Sequence, residues 1–79
     1  MKVPRDLSGT DLIARLATLG YRPTYRATSH VRLTTTMGGE HHITVPLHDF
    51  IKIGTLNAIL KDVASHAGLT RDELIRRIL

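Results

Sequence analysis

The sequence predicts a small α+β protein: a three-stranded antiparallel sheet with helices packed on one face, in the order α-β-β-β-α-(α). Three observations predict it. Apolar residues recur at helical spacing near both ends of the chain and at a spacing of two in the middle. The middle segment is rich in β-branched residues, whereas capping signals gather in the flanks. The connections between the alternating runs are short, so consecutive strands are antiparallel neighbours. At 79 residues the chain is read as a single domain spanning residues 1–79. It contains no internal repeat, low-complexity tract or linker that would divide it.

Each element has its own signal. Ser8 is a good N-cap and Asp11, three residues on, places a carboxylate at the helix N-terminus, while Leu7 and Leu12 have the spacing of a hydrophobic staple. Leu12, Ile13, Leu16 and Leu19 continue the stripe and Gly20 is a left-handed stop, which predicts a helix over about 9–19. Tyr21, Pro23, Tyr25 and Ala27 then alternate with Arg22, Thr24 and Arg26. Pro23 cannot donate to a ladder, so this strand is an edge or carries a bulge. Val31, Leu33 and Thr35 alternate with His30, Arg32, Thr34 and Thr36. After a turn at Met37-Gly38-Gly39-Glu40, Ile43, Val45 and Leu47 alternate with His42, Thr44 and Pro46. Gly54-Thr55 opens a second helix with Thr55 as N-cap, striped by Leu56, Ile59, Leu60 and Val63 and closed by Gly68. Thr70 and Glu73 form a capping box for a short last helix, stapled by Leu69 and Leu74.

Composition removes several classes of function. No cysteine is present, which excludes a disulfide framework, a thiolate zinc site and a cysteine nucleophile, and fits a reducing compartment. With 4% aromatics there is no multi-residue stacking platform for single strands. No apolar run is long enough to span a bilayer, and the run from Met1 to Asp6 has no signal-peptide core, so the expectation is a cytoplasmic protein without a membrane role. Eleven Lys and Arg against seven Asp and Glu give a net charge of +4, and eight of those cations are Arg, the cation that pairs bidentately with phosphate. Nucleic acid is the partner this balance favours; solubility alone is the plainer explanation.

The sheet face left uncovered by helices is more informative than net charge. Alternation assigns it Arg22, Thr24 and Arg26 from the first strand, and His30, Arg32, Thr34 and Thr36 from the second. The third adds His42 and Thr44, with His48 at its end. The only acid between Tyr21 and His48 is Glu40, in the turn. Such a face suits phosphate, although a merely solvated outer face would have a similar make-up. Five histidines make metal binding the obvious alternative. His41 and His42 are adjacent on a strand and point to opposite faces, and the spacing of His42, His48 and Asp49 matches no structural metal site. No metal and no cofactor is therefore expected. His66, near the C-terminal end of the second helix, reads as a dipole-capping cation. No phosphate-binding glycine motif or carboxylate pair is present. What remains is histidine acid–base chemistry on a basic surface. That suffices for RNA, whose 2′-hydroxyl is an internal nucleophile, and not for DNA.

Five segments in order carry a resemblance: Leu7-Ser8-Gly9-Thr10-Asp11-Leu12-Ile13, Leu19-Gly20-Tyr21, Ser29-His30-Val31-Arg32-Leu33, Thr44-Val45-Pro46-Leu47-His48 and Gly54-Thr55-Leu56-Asn57-Ala58-Ile59-Leu60. Together they resemble the HicA (YcfA-like) toxins of toxin–antitoxin pairs, over about residues 6–74. The resemblance implies a double-stranded-RNA-binding-like fold. It also implies a metal-independent endoribonuclease that cleaves mRNA and arrests translation in stress responses, silenced by a HicB antitoxin and monomeric outside that complex. The family's active histidine, at the start of the second strand, maps onto His30. Thr28 stands where the family usually has Gly.

The residues and the resemblance agree on His30 as the catalytic acid or base. Arg22, Arg26, Arg32 and Lys52 are assigned to RNA phosphates. Ser29 and His48 complete the RNA-binding set, although turn chemistry for Ser29 and a packing or capping role for His48 are the plainer alternatives. Two other functions fit the same face: a non-catalytic RNA-binding module, and an interaction protein that docks an acidic partner.

Overall fold

Helix α1 (Gly9–Leu16) opens with the expected cap. Ser8 Oγ accepts from the Asp11 N–H at 3.0 Å and the Asp11 carboxylate accepts from the Ser8 N–H at 3.4 Å, closing a capping box. The last turn tightens to a 3₁₀ turn over Ala17–Leu19, and Gly20 ends it at φ +82°, a conformation that L side chains rarely adopt. These elements come from a computed structural model, which describes residues 3–79.

Strands β1 (Arg22–Arg26), β2 (His30–Thr35) and β3 (His41–Pro46) form one antiparallel sheet in the order β1-β2-β3. β2 and β3 pair without interruption, from His30 opposite Pro46 to Thr35 opposite His41. Val31, Leu33 and Thr35 of β2 and Ile43 and Val45 of β3 are buried, and the residues between them face outward, as alternation predicts.

β1 departs from the expected pattern. The register slips between Pro23 and Tyr25, so that Pro23 faces Leu33 while Tyr25 faces Arg32 and Arg26 faces Val31. Thr24 is the extra residue of a bulge beside the proline, and one extra residue inverts every side chain beyond it. Arg22 and Thr24 therefore keep their places on the open face. Arg26 moves to the opposite side of the edge strand, and Tyr25, 65% exposed, takes the open face instead.

Helices α2 (Ile53–Ala67) and α3 (Arg71–Ile78) cover the other face. α2 starts earlier than the sequence suggests: Lys52 is the N-cap, not Thr55, and no side chain caps the first turn. Its stripe of Leu56, Ile59, Leu60 and Val63 is buried, and Gly68 closes it at φ +71°. α3 carries the expected Thr70–Glu73 capping box and buries Leu74, Ile75 and Ile78. The box's hydrogen bonds from Thr70 hold the Glu73 carboxyl below its usual range. Two bonds from Arg71 to Asn57 Oδ1, at 2.7 and 3.0 Å, tie α3 to α2, and Arg15 Nη1 donates to the Ile78 carbonyl at 2.8 Å.

One core results, running from Leu7 to Ile78. Thr35, the one buried polar residue among those described, donates to the Leu19 carbonyl at 3.0 Å and accepts from the Met37 N–H at 3.1 Å, so no hydrogen-bonding capacity is wasted there. At the margin, Tyr21 bonds His41 Nδ1 at 2.7 Å and His41 Nε2 lies 3.1 Å from Asp62. Burial, reinforced by the Asp62 charge, pushes the Tyr21 hydroxyl up to about 12. His66 does stand in the last turn of α2, but its ring stacks on His41 with centroids 4.4 Å apart and bonds the Met37 carbonyl at 2.9 Å. His41 and His66 thus tie the β2–β3 turn to α2.

Candidate active site

The open face has two chemically distinct ends. At the β2–β3 turn, a hydrogen-bonded chain crosses the sheet from Thr24 to Thr34 at 2.8 Å, to His42 Nδ1 at 2.7 Å, and from His42 Nε2 to Glu40 at 2.9 Å. The Glu40 side chain therefore reaches from the turn back onto the face, and both nitrogens of His42 are engaged. Four residues back along β2, about 13 Å away at 3.3 Å per residue, His30 begins the strand at the opposite end.

That end is built around a loop. Residues 47–51 run from β3 to α2 and are held by three main-chain bonds. The Leu47 N–H donates to the Ser29 carbonyl at 2.8 Å, the Gly9 N–H to the His48 carbonyl at 3.0 Å, and the Ile51 N–H to the Leu7 carbonyl at 2.9 Å. The loop is thus lashed between the start of β2 and the start of α1. Ile51 anchors it in the core. Gly9 is required there: a Cβ would run into the backbone carbonyl of Pro46. A cavity of about 360 Å³ opens between these parts, lined by His30, Thr44, Pro46, His48, Lys52 and Thr55. None of its lining residues is acidic.

Ser29 Oγ lies 3.0 Å from His30 Nδ1. The turn before β2 has swung the serine to the histidine's side, against strict strand alternation. Where the His30 Nδ1–H donates to this oxygen, Nε2 carries the lone pair and is free to take a proton. Among the described residues no acid forms a hydrogen bond or ion pair with that ring. The backbone at Thr28 needs no glycine, because no non-glycine residue in the described chain has a positive φ.

Of the residues singled out from sequence, His30, His48 and Lys52 meet in the cavity and Ser29 supports His30. Arg32 lies one outward step along β2, opposite Thr44, which lines the cavity. Arg22 faces Thr34 at the far end, and Arg26 lies on the other side of the sheet edge. Thr44, Pro46 and Thr55 belong to the site and were not assigned to it. The sequence reads Thr55 as a helix cap, whereas the structure makes it part of the cavity lining with Lys52. Among the described residues no group of three His, Asp or Glu side chains is arranged to hold a metal ion, His42, His48 and Asp49 included.

No curated protein and no solved structure matches the chain. The family model described as the HicA toxin of bacterial toxin–antitoxin systems matches residues 9–64, well over half of the sequence. That stretch runs from the glycine that pins the His48 loop, through the whole sheet, to the apolar stripe of α2, and includes every residue lining the cavity. The chain belongs to the HicA toxin family, as the toxin of a toxin–antitoxin pair.

Proposed function

We propose that this toxin is a metal-independent endoribonuclease that cleaves mRNA in the cytoplasm, with His30 as its catalytic acid–base group and a HicB-like antitoxin as its inhibitor. One observation carries the reading: His30, whose Nδ1 is bonded to Ser29, lines an acid-free cavity together with Lys52. A neutral imidazole there takes the proton of a ribose 2′-hydroxyl, and that oxygen then attacks the adjacent phosphate. Lys52 meets the charge that develops on the phosphoryl oxygens, aided by first-turn N–H groups of α2 that no side chain caps. Arg32 extends the phosphate track from the cavity. Arg22 would meet phosphates further along, whereas Arg26, on the other side of the β1 edge, stands off this track.

His30→Ala tests this. The residue is exposed, so the variant should melt within about 0.5 kcal/mol of the parent. Loss of a positioned acid–base group should slow RNA cleavage by about 10²–10⁴-fold, enough to relieve growth arrest on expression. Parent activity should persist in EDTA. A His30→Ala protein that cuts at the parent's rate would sink the assignment. One that still binds RNA without cutting it separates catalysis from binding, as does a parent that binds without cutting.

A further inference from the structure

Five histidines occur in the chain, and three of them are spent on structure. His41 bonds Tyr21 and Asp62, His42 bonds Thr34 and Glu40, and His66 bonds the Met37 carbonyl while stacking on His41. The remaining two, His30 and His48, line the same cavity. Among the described residues nothing hydrogen-bonds the His48 ring. Its main chain, by contrast, is fixed: the His48 carbonyl takes the Gly9 N–H and the preceding N–H reaches Ser29, the neighbour of His30. A ring held in place only through its backbone, exposed and with both nitrogens open, is suited to proton transfer and not to packing.

We propose that His48 is the general acid that completes the cleavage reaction, a role that rests on the reading of His30 as base. The two rings reach the cavity from different elements. His30 starts β2, and His48 lies two residues beyond Pro46, the residue paired with His30 across the sheet. A phosphodiester bound between them has its 2′-hydroxyl toward one ring and its leaving oxygen toward the other. His30 Nε2 accepts the 2′-hydroxyl proton as the bond from O2′ to phosphorus forms. The bond from phosphorus to O5′ breaks, and protonated His48 gives its proton to O5′. The products are a 2′,3′-cyclic phosphate and a 5′-hydroxyl end. His30 is left protonated and His48 neutral, and exchange with water resets both. The base role falls to His30 in the tautomer whose Nδ1–H donates to Ser29 Oγ, which leaves the lone pair at Nε2.

A substrate whose bridging 5′-oxygen is replaced by sulfur separates the roles, since a thiolate departs without a proton. On ordinary RNA, His48→Ala should be slowed by about 10²–10⁴-fold. On the sulfur-bridged RNA it should cut within a few-fold of the parent. His30→Ala should be slow on both. In the pH–rate profile, His48→Ala should lose the alkaline limb and keep the acidic one. Thermal melts of His48→Ala and His48→Gln accompany the assay, and the variant that melts like the parent is the one interpreted. A folded His48 variant that is not rescued by sulfur, or a rescue seen for His30→Ala instead, overturns the proposal. If the parent cuts neither substrate, it is the nuclease reading itself that fails.

Discussion

Gly9 is at once the first residue of α1 and the donor that holds the His48 carbonyl. Any side chain there meets the Pro46 backbone, and neither partner is a flexible tip that can give way. Gly9→Ala should therefore cost about 1–3 kcal/mol, as overpacking does, and displace the loop as well. A melt and a cleavage assay read the two effects separately: activity should fall even at temperatures where the variant is fully folded. A variant with parental stability and rate would show that the loop tolerates the shift. The sequence already marked His30, Arg32 and the outward positions of β2 and β3, because alternation is a local property. That His48 shares a cavity with His30 was not legible in the same way. It depends on main-chain bonds between residues 7–9, 29 and 47–51, which leave no trace in side-chain pattern.

At the scale of elements, the bulge in β1 decides which cations can act together. Pro23 signalled an irregularity, but a signal for a bulge does not say which residue is extra, and that choice sets the facing of all that follows. With Thr24 as the extra residue, Arg32 and Tyr25 share the open face and Arg26 leaves it. RNA binding followed against salt should reflect this. Arg32→Ala should lower the slope of log affinity against log salt by about 0.7, the loss of one phosphate contact on a single strand. Arg26→Ala should change it less. Equal effects would mean that RNA wraps the β1 edge and does not follow the face. The start of α2 was misplaced for a comparable reason. Thr55 is a good capping residue by type, yet the main chain is already helical from Ile53, and the threonine side chain lines the cavity instead.

For the molecule as a whole, α3 is the last contribution to the core, and it lies beyond the matched family segment. Leu74, Ile75 and Ile78 are all buried. Each is worth about 1.5–3 kcal/mol of burial, against a total stability of about 5–15 kcal/mol for a small domain. A chain ending at Thr70 should lose its cooperative thermal transition, monitored by circular dichroism. A two-state melt close to the parent's would show that α1, α2 and the sheet suffice.

The continuity of the core from Leu7 to Ile78 also bears on how the protein is made. A ribosome delivers the chain from its N-terminus, so the α3 side chains that close the core are among the last to be added. Until they emerge, the loop that carries His48 is tethered to a sheet whose covering layer is incomplete. A chain that has not yet added α3 therefore presents this sheet with part of its apolar cover missing.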